Sequence, residues 1–449
     1  MTSSIVLYYW IHLIPFQQFF FSLILLFFCC DFNLNDKLYF FSQNFQLIFV
    51  FFVICTIFSS NEFLANKKIF KYEYDLLFIF FVLSAICLCF CNEFLLIYLA
   101  LELQSLTFYI FATFNRNSEF STEAGLKYFI FGGVISCFLL LGISLVYLYF
   151  GSVSFELIAS IASFSYEPLF FSGLLFVISV LLFKLGSAPF HFWLCDVYEG
   201  SILSVTMLFA ATPKIVLFSV LFKICFFVLW DFQHFWATFI GVSAVLSIIV
   251  GSISAIYQKR IKRLFAYSTI AHTGFILLAF LAGSLQSVKA LIFYIIIYAC
   301  LTIALFAILI NVSNATKIQP KYLINLSGIG SKNNIFSAIF GLIILAIAGI
   351  PPLAGFFSKF FILLSLIGAK YYLISLVVIT FSSIACFYYI RLVKIMFFVK
   401  NSRNYLWVTH NSTQNTELMI AFFTFVIICF FIHSDLFINL SIVTGLILF

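Results

Sequence analysis

Seven ionisable side chains sit inside or at the rims of long apolar runs: Glu102, Lys127, Lys184, His191, Lys214, Lys223 and Lys359. A charge at membrane depth costs at least ~2.5–3.5 kcal/mol on insertion scales, so several of them on separate segments imply a use. The chemistry that lysine, glutamate and histidine share is proton transfer. A dry site disfavours the charged form of each, and a partner of opposite charge opposes that effect. A change of partner therefore loads or releases a proton, and coupling in a low dielectric is strong enough to matter.

Each position has a bland reading beside the chemical one. Glu102, in LIYLALELQSLTFYIF, lies well inside its run and could be a carboxylate hydrogen-bonded to a neighbouring helix. Lys184 lies in FKLGSAPFHFW, with Pro189 five residues on; proline removes a backbone donor, frees carbonyls and unwinds the turn before it. Lys214 is central in its run and directly follows Pro213, so the same logic extends to it. Lys359 follows GIPPLAGFFS, where two prolines and two glycines interrupt a run. Lys127 and Lys223 lie nearer run ends, where snorkelling explains them equally well. His191, seven residues after Lys184, is either a structural histidine or a proton relay. His272 in AYSTIAHTGF is a weaker case of the same kind.

The elements that must position these groups are membrane spans. The 449 residues are 64% hydrophobic and 9% charged, with mean hydropathy +1.19, against about 25% charge in soluble domains. Runs long enough to span, about 20 residues each, fall near 5–30, 38–60, 75–94, 95–114, 124–150, 170–192, 201–230, 234–256, 264–283, 287–311, 334–366, 372–398 and 417–447. Asn92 and Glu93 mark a tight hairpin, and 334–366 reads as one interrupted helix. The loops after even-numbered spans carry the basic residues (NKKIFK, Arg116, QKRIKR, Lys317 with Lys321 and Lys332, Lys400 with Arg403). Those after odd-numbered spans are nearly free of them, Lys37 and Lys370 excepted. The positive-inside rule puts the even loops and the N-terminus on the positive side. LCDVYEG, after the sixth span, breaks the rule with Asp196 and Glu199 and must be held by packing or by a partner.

The net charge of +7 follows from this topology and implies no nucleic-acid partner. The twelve cysteines, three of them in CLCFC, show no zinc or iron–sulfur spacing and read as buried apolar thiols. No cleavable signal or Arg-rich transit peptide is expected, because the first basic residue is Lys37. Broken helices carrying a mid-membrane charge in two halves of a chain point to an inverted-repeat transporter. The pair here is KLGSAP in the sixth span and PPLAGFFSK in the eleventh, whose five-span offset inverts their direction.

At these residues the chain resembles the antiporter-like membrane subunits of respiratory NADH:ubiquinone oxidoreductase (complex I), and among them the subunit 2 and bacterial subunit N group. The matching pieces are LELQSLTFYIFATFNRNSEFSTEAGLKYFIFGG, FKLGSAPFHFWLCDVYEG, LFAATPKIVLF, KRLFAYSTIAHTGF and AGIPPLAGFFSKFF, from about residue 95 to 366. DVYEG after APFHFW favours this group over its larger relatives. The resemblance implies an all-α polytopic membrane protein of about thirteen (twelve to fourteen) helices with an antiporter-like inverted repeat and two broken helices. It implies that Glu102 pairs with Lys184, that Lys214 is the central lysine of a proton path, and that Lys359 leads to the exit. Lys127 and His191 match further polar positions on that path. NAD, FMN, iron–sulfur clusters and ubiquinone belong to partner subunits, with no cofactor in this chain. The implied partners are other membrane-arm subunits, the larger antiporter-like ones among them, and membrane lipids such as cardiolipin. The implied location is the mitochondrial inner membrane, with the N-terminus in the matrix. EGSILSVT lacks the prolines usual after DVYEG, and relatives have one more N-terminal helix.

The expected organisation is N-terminal helices over 1–94, a proton-translocating core over 95–400 with repeats near 95–256 and 264–398, and a last loop and helix over 401–449. Two rival readings stand beside it: a subunit of a free-standing cation/proton antiporter, and a structural membrane subunit whose polar residues serve packing alone.

Overall fold

The computed structural model describes residues 37–67, 72–162, 168–316, 319–329, 333–399 and 414–430. The first expected span, 5–30, and the end of the last lie outside these residues. The described helices are α1 (Lys37–Asn66), α2 (Tyr72–Phe90), α3 (Phe94–Ala112), α4 (Glu119–Phe150), α5 (Phe155–Ala162), α6 (Pro168–Leu185), α7 (Phe192–Gly200), α8 (Leu203–Phe222), α9 (Gln233–Tyr257), α10 (Ile261–Ala282), α11 (Leu285–Thr316), α12 (Asn334–Ala348), α13 (Ala354–Gly368), α14 (Tyr372–Phe398) and α15 (Gln414–Cys429). Among the described residues nine segments are long and apolar enough to cross a membrane, and α6, α12, α13 and α15 are shorter apolar helices. With no water in the hydrocarbon, helices are the form that satisfies every backbone group within the segment.

Both expected breaks are present. One span is α6 and α7 joined by 186–191; the other is α12 and α13 joined by 349–353. Pro213 differs: α8 runs through it without interruption. Tight packing on all sides keeps the helix continuous there, since every residue of α8 is buried. It then continues as a π-helical turn, Lys223–Val228.

Two isolated bridges sort the loops onto two faces. Glu93 pairs with Ser154, and Phe155 N–H donates to the Asn92 carbonyl at 2.9 Å, joining the loops after the third and fifth expected spans. Arg260 pairs with Tyr322, and Ile261 N–H donates to the Lys321 carbonyl at 3.0 Å, joining the loops after the eighth and tenth. The acidic segment after the sixth span belongs to this second, basic face. There Asp196 and Glu199 of α7 meet Lys127, Arg260 and Arg263, so the carboxylates that defy the charge rule are neutralised by the basic residues that define it. Ser201 and Ile202 follow with φ/ψ of −72/159° and −68/153°. These are polyproline II dihedrals, the shape that prolines would impose, reached here without them.

The most buried spans, α8, α10 and α11, form the centre, with α4 and α14 at the lipid-facing margin. A helix that is apolar all round belongs in such an interior. In α9 and α10, Gly251 and Gly274 let the two backbones meet: a Cβ on either would fall within 3.0 Å of the partner helix. The neighbour pattern also repeats. In α2, α3, α4, α6/α7 and α8, the first packs on the second and fifth, the second on the third, and the third on the broken pair; α9, α10, α11, α12/α13 and α14 pack likewise.

Lys223 does not snorkel. It is 1% exposed, and its ammonium donates to the carbonyls of Cys89 (2.5 Å) and Cys91 (3.4 Å) at the C-terminus of α2. A cation there satisfies orphan carbonyls and complements the helix dipole. Lys223→Met should therefore lower the melting temperature of the solubilised protein, by about 1–3 kcal/mol of stability for the acceptors left unpaired. Transport per electron in the surviving protein should stay normal; a loss of transport at unchanged stability would contradict this capping role.

Candidate functional site

Lys184 occupies the last turn of α6, at the break itself. The break closes around it: Gly186, at φ +74°, donates its N–H to Phe183 (2.9 Å), Ser187 N–H and Oγ both reach Leu182 (3.1 Å each), and Trp193 Nε1 donates to Phe183 (3.0 Å). Positive φ is why glycine stands at 186. The ammonium of Lys184 is enclosed and, among the described residues, has no hydrogen-bond partner. It lines a cavity of about 20 Å³ together with Gln104, Ser105, Tyr198 and Lys214. That volume holds one water.

Lys214 faces the same cavity from α8. Its ammonium donates to the Tyr298 hydroxyl at 3.1 Å, and that hydroxyl donates to the Ala210 carbonyl at 3.1 Å, in the turn ahead of Pro213. Tyr298 also lines a second cavity of about 20 Å³, shared with His272, Ser268, Thr269, Thr302 and Ile347. His272 of α10 is buried, with its ring 5.6 Å from that of Tyr298. Its Nδ1 is 2.7 Å from the Tyr294 hydroxyl and its Nε2 is 3.4 Å from that of Tyr389. Lys214 and Lys359 both act on it electrostatically.

Lys359 closes the series. The last four carbonyls of α12 are fully accounted for: Leu345 and Ala346 accept from Gly349 and Ile350, while Ile347 (3.3 Å) and Ala348 (2.6 Å) accept from the Lys359 ammonium. Gly349 adopts φ +87°, and a Cβ there would sit 3.0 Å from Lys359 Nζ, so both its backbone and the lysine require glycine. Ile347 lines the second cavity, so one continuous row runs from Lys184 through Lys214, Tyr298 and His272 to the carbonyls that hold Lys359.

The remaining sequence-derived residues fall elsewhere. Glu102 lies mid-way along α3, near enough to act on Lys184 through space, but the two form no ion pair within 4.0 Å. The expected contact is thus a longer-range one. Lys127 of α4 is bound to Glu123 (2.7 Å) and Asp196 (2.8 Å), with 40% of its side chain exposed, on the basic face and away from both cavities. His191 caps the start of α7, stacked on Phe192, with Nδ1 enclosed and unpartnered. Sequence reasoning gave His272 too little weight and missed Tyr198, Tyr294, Tyr298 and Tyr389. YIIIY, two hydroxyls one turn apart in an otherwise apolar span, was the available signal for Tyr294 and Tyr298. It is hidden among 22 tyrosines and 67 phenylalanines.

The family model described as NADH:quinone oxidoreductase/Mrp antiporter, TM, matches residues 91–386, which contain every group in this row. The chain belongs to the NADH:quinone oxidoreductase/Mrp antiporter family. Among its relatives, NADH-ubiquinone oxidoreductase chain 2 of Marchantia polymorpha is 37% identical over 76% of this chain and 70% of that protein. NADH-quinone oxidoreductase subunit N 1 of Rhizobium meliloti is 38% identical over 68% of this chain and 64% of its own length. A chain in the structure of respiratory complex I from Thermus thermophilus with bound aureothin superposes with TM-score 0.73 and 27% identity, covering 89% of this chain and 85% of that one. The resemblance drawn from residues 95–366 to the subunit 2 and subunit N group agrees with these relatives. The polytopic helical fold is shared with that chain.

Within the family frame, Tyr298 is the group most open to test. Tyr298→Phe keeps the ring against His272 and removes the hydroxyl that joins Lys214 to the second cavity. Proton flux should fall about tenfold, ~1.4 kcal/mol on the barrier, with folding intact by circular dichroism. Unchanged flux would take Tyr298 out of the row.

Proposed function

We propose that the chain is a proton-translocating membrane-arm subunit of respiratory NADH:ubiquinone oxidoreductase. The observation that carries this reading is the buried row in which two small cavities, each large enough for one water, are joined through Lys214 and Tyr298. The three lysines differ in how they are held. Lys184 is unpartnered, Lys214 rests on one hydroxyl, and Lys359 on two carbonyls. Glu102 acts on Lys184 from a distance, so a movement of either α3 or the α6 break alters the charge that Lys184 feels.

The proton step needs only local moves. Lys184 passes a proton to a water in the first cavity, and the water passes it to neutral Lys214. Lys214 then reverses its hydrogen bond with Tyr298: a neutral amine accepts where an ammonium donates. Lys214 returns to the neutral amine as the Tyr298 hydroxyl takes its proton and gives its own to a water in the second cavity; His272, tethered by Tyr294 and Tyr389, accepts it there and passes it to Lys359 once Lys359 has released its own proton. Energy for the cycle comes from electron transfer elsewhere. NAD, FMN, iron–sulfur clusters and ubiquinone belong to partner subunits in this reading, and the larger antiporter-like subunits are its neighbours. We place the chain in the mitochondrial inner membrane with its basic face and N-terminus in the matrix, following the charge rule. We draw the two inverted units at 72–228 and 233–398, in place of 95–256 and 264–398, because α9 packs on α10 and α14 in the way that α2 packs on α3 and α8.

Two experiments test the reading. Native electrophoresis of solubilised membranes, stained for NADH dehydrogenase activity, should place this chain's peptides in the active band. Peptides found only in a smaller assembly without that activity, with sodium-driven proton flux, would favour the free-standing antiporter. Lys214→Met in sealed vesicles should lower protons moved per NADH oxidised, and Lys214→Arg should not restore them, because guanidinium does not deprotonate. A normal ratio in Lys214→Met vesicles would sink the proton-path assignment and leave the packing role.

A further inference from the structure

On the basic face lies a cavity of about 310 Å³ that the proton row does not use. Its wall includes Arg260, Lys262 and Lys321, with Glu199 the one carboxylate. Glu199 is already engaged by Arg260 and Arg263. Lys262 donates to the Ser201 carbonyl at 2.5 Å, and Lys321 is close enough to repel it. Among the described residues neither lysine has a carboxylate within ion-pair distance. The cavity is also where three spanning helices begin. Ser118, Ile202 and Arg260, the residues before α4, α8 and α10, all line it, and none caps its helix with a side chain. Three positive helix ends and two unneutralised ammonium groups thus converge on one space.

A separate observation points to a ligand. The Ser201 hydroxyl, in a residue 1% exposed that lines the cavity, is enclosed and has no hydrogen-bond partner. The wall is also built rather than loose. Residues 259–261 and 321–323 are joined by the Arg260–Tyr322 bridge and by the Leu323 N–H to Lys259 carbonyl bond at 3.0 Å.

We propose that this cavity binds a phosphate group, taking its oxygens on Lys262, Lys321, the Ser201 hydroxyl and the first-turn N–H groups of α8. Its level favours a phospholipid headgroup over free phosphate: it opens where three spans start, beside Phe120 (56% exposed) at the foot of the lipid-facing α4. An acyl chain could run along that helix. The proposal rests on membrane placement and not on proton translocation, so it stands or falls separately.

The test uses the intact assembly purified with this chain, washed in detergent to remove loose lipid. Retained phospholipid is counted by native mass spectrometry and phosphorus analysis. Wild type and Lys321→Arg should each retain one more anionic phospholipid than Lys321→Glu, whose affinity for added phosphatidylglycerol should be about tenfold weaker. Lys321 is the residue to change, because among the described residues its side chain makes no bond that holds the fold. If no phospholipid is retained but millimolar inorganic phosphate shields Lys262 and Lys321 from acylation in wild type alone, the site is confirmed with free phosphate as its ligand. Equal retention in Lys321→Glu, with no shielding by either probe, overturns the proposal. So does cross-linking of Lys321 to an acidic segment of a neighbouring subunit in native membranes.

Discussion

Every charge held in the membrane must find polar atoms, and lipid supplies none. This requirement organises the molecule. An unbroken helix consumes its own carbonyls and offers a buried lysine nothing. A broken helix ends mid-span, and its last turn exposes carbonyls that something must satisfy. Lys359 is satisfied this way, on Ile347 and Ala348 of the half-helix before its own. The break over 349–353 therefore serves two ends at once: it leaves carbonyls to the lysine and gives the lysine a place to stand.

The break at Lys184 uses the same geometry with the opposite result. Gly186, Ser187 and Trp193 take the carbonyls of Leu182 and Phe183, and the lysine is left without a partner. Trp193 belongs to α7, so the second half-helix seals the end of the first. The two breaks thus hold their lysines differently, one on carbonyls and one beside a cavity. Lys214 and His272 lie between them, Lys214 on a helix buried throughout and His272 in the buried part of α10, where a low dielectric strengthens electrostatic effects.

How much of this was legible in the sequence depends on whether the signal was local. The spans, both breaks and the lysines beside them could be read, because composition, proline and glycine act within a few residues. Pro213 misled: a proline marks a break only when neighbours let the helix bend, and α8 is packed on every side. Lys223 looked like an interfacial lysine and proved a helix cap, because the carbonyls it serves, those of Cys89 and Cys91, are more than 130 positions away. Tyr298 was hard to read for the same reason. YIIIY marks two hydroxyls in its segment, but its importance comes from facing Lys214 and His272. The pairing of Glu102 with Lys184 was read from resemblance, and the structure keeps the influence without the contact.

The acidic helix α7 ties the interior to the surface. Its inner end carries Trp193 and Leu194, which line the Lys184 cavity, and its outer end carries Asp196 and Glu199. The ion pairs there are partly exposed and individually worth little. As a set they hold α7 from two sides, since Lys127 stands on α4 and Arg260 and Arg263 stand at the start of α10. From the same helix the Trp193 indole donates to the Phe183 carbonyl, one residue from Lys184, a carbonyl that the Gly186 N–H shares. One nine-residue helix therefore ties the ion pairs of the basic face to the break at Lys184.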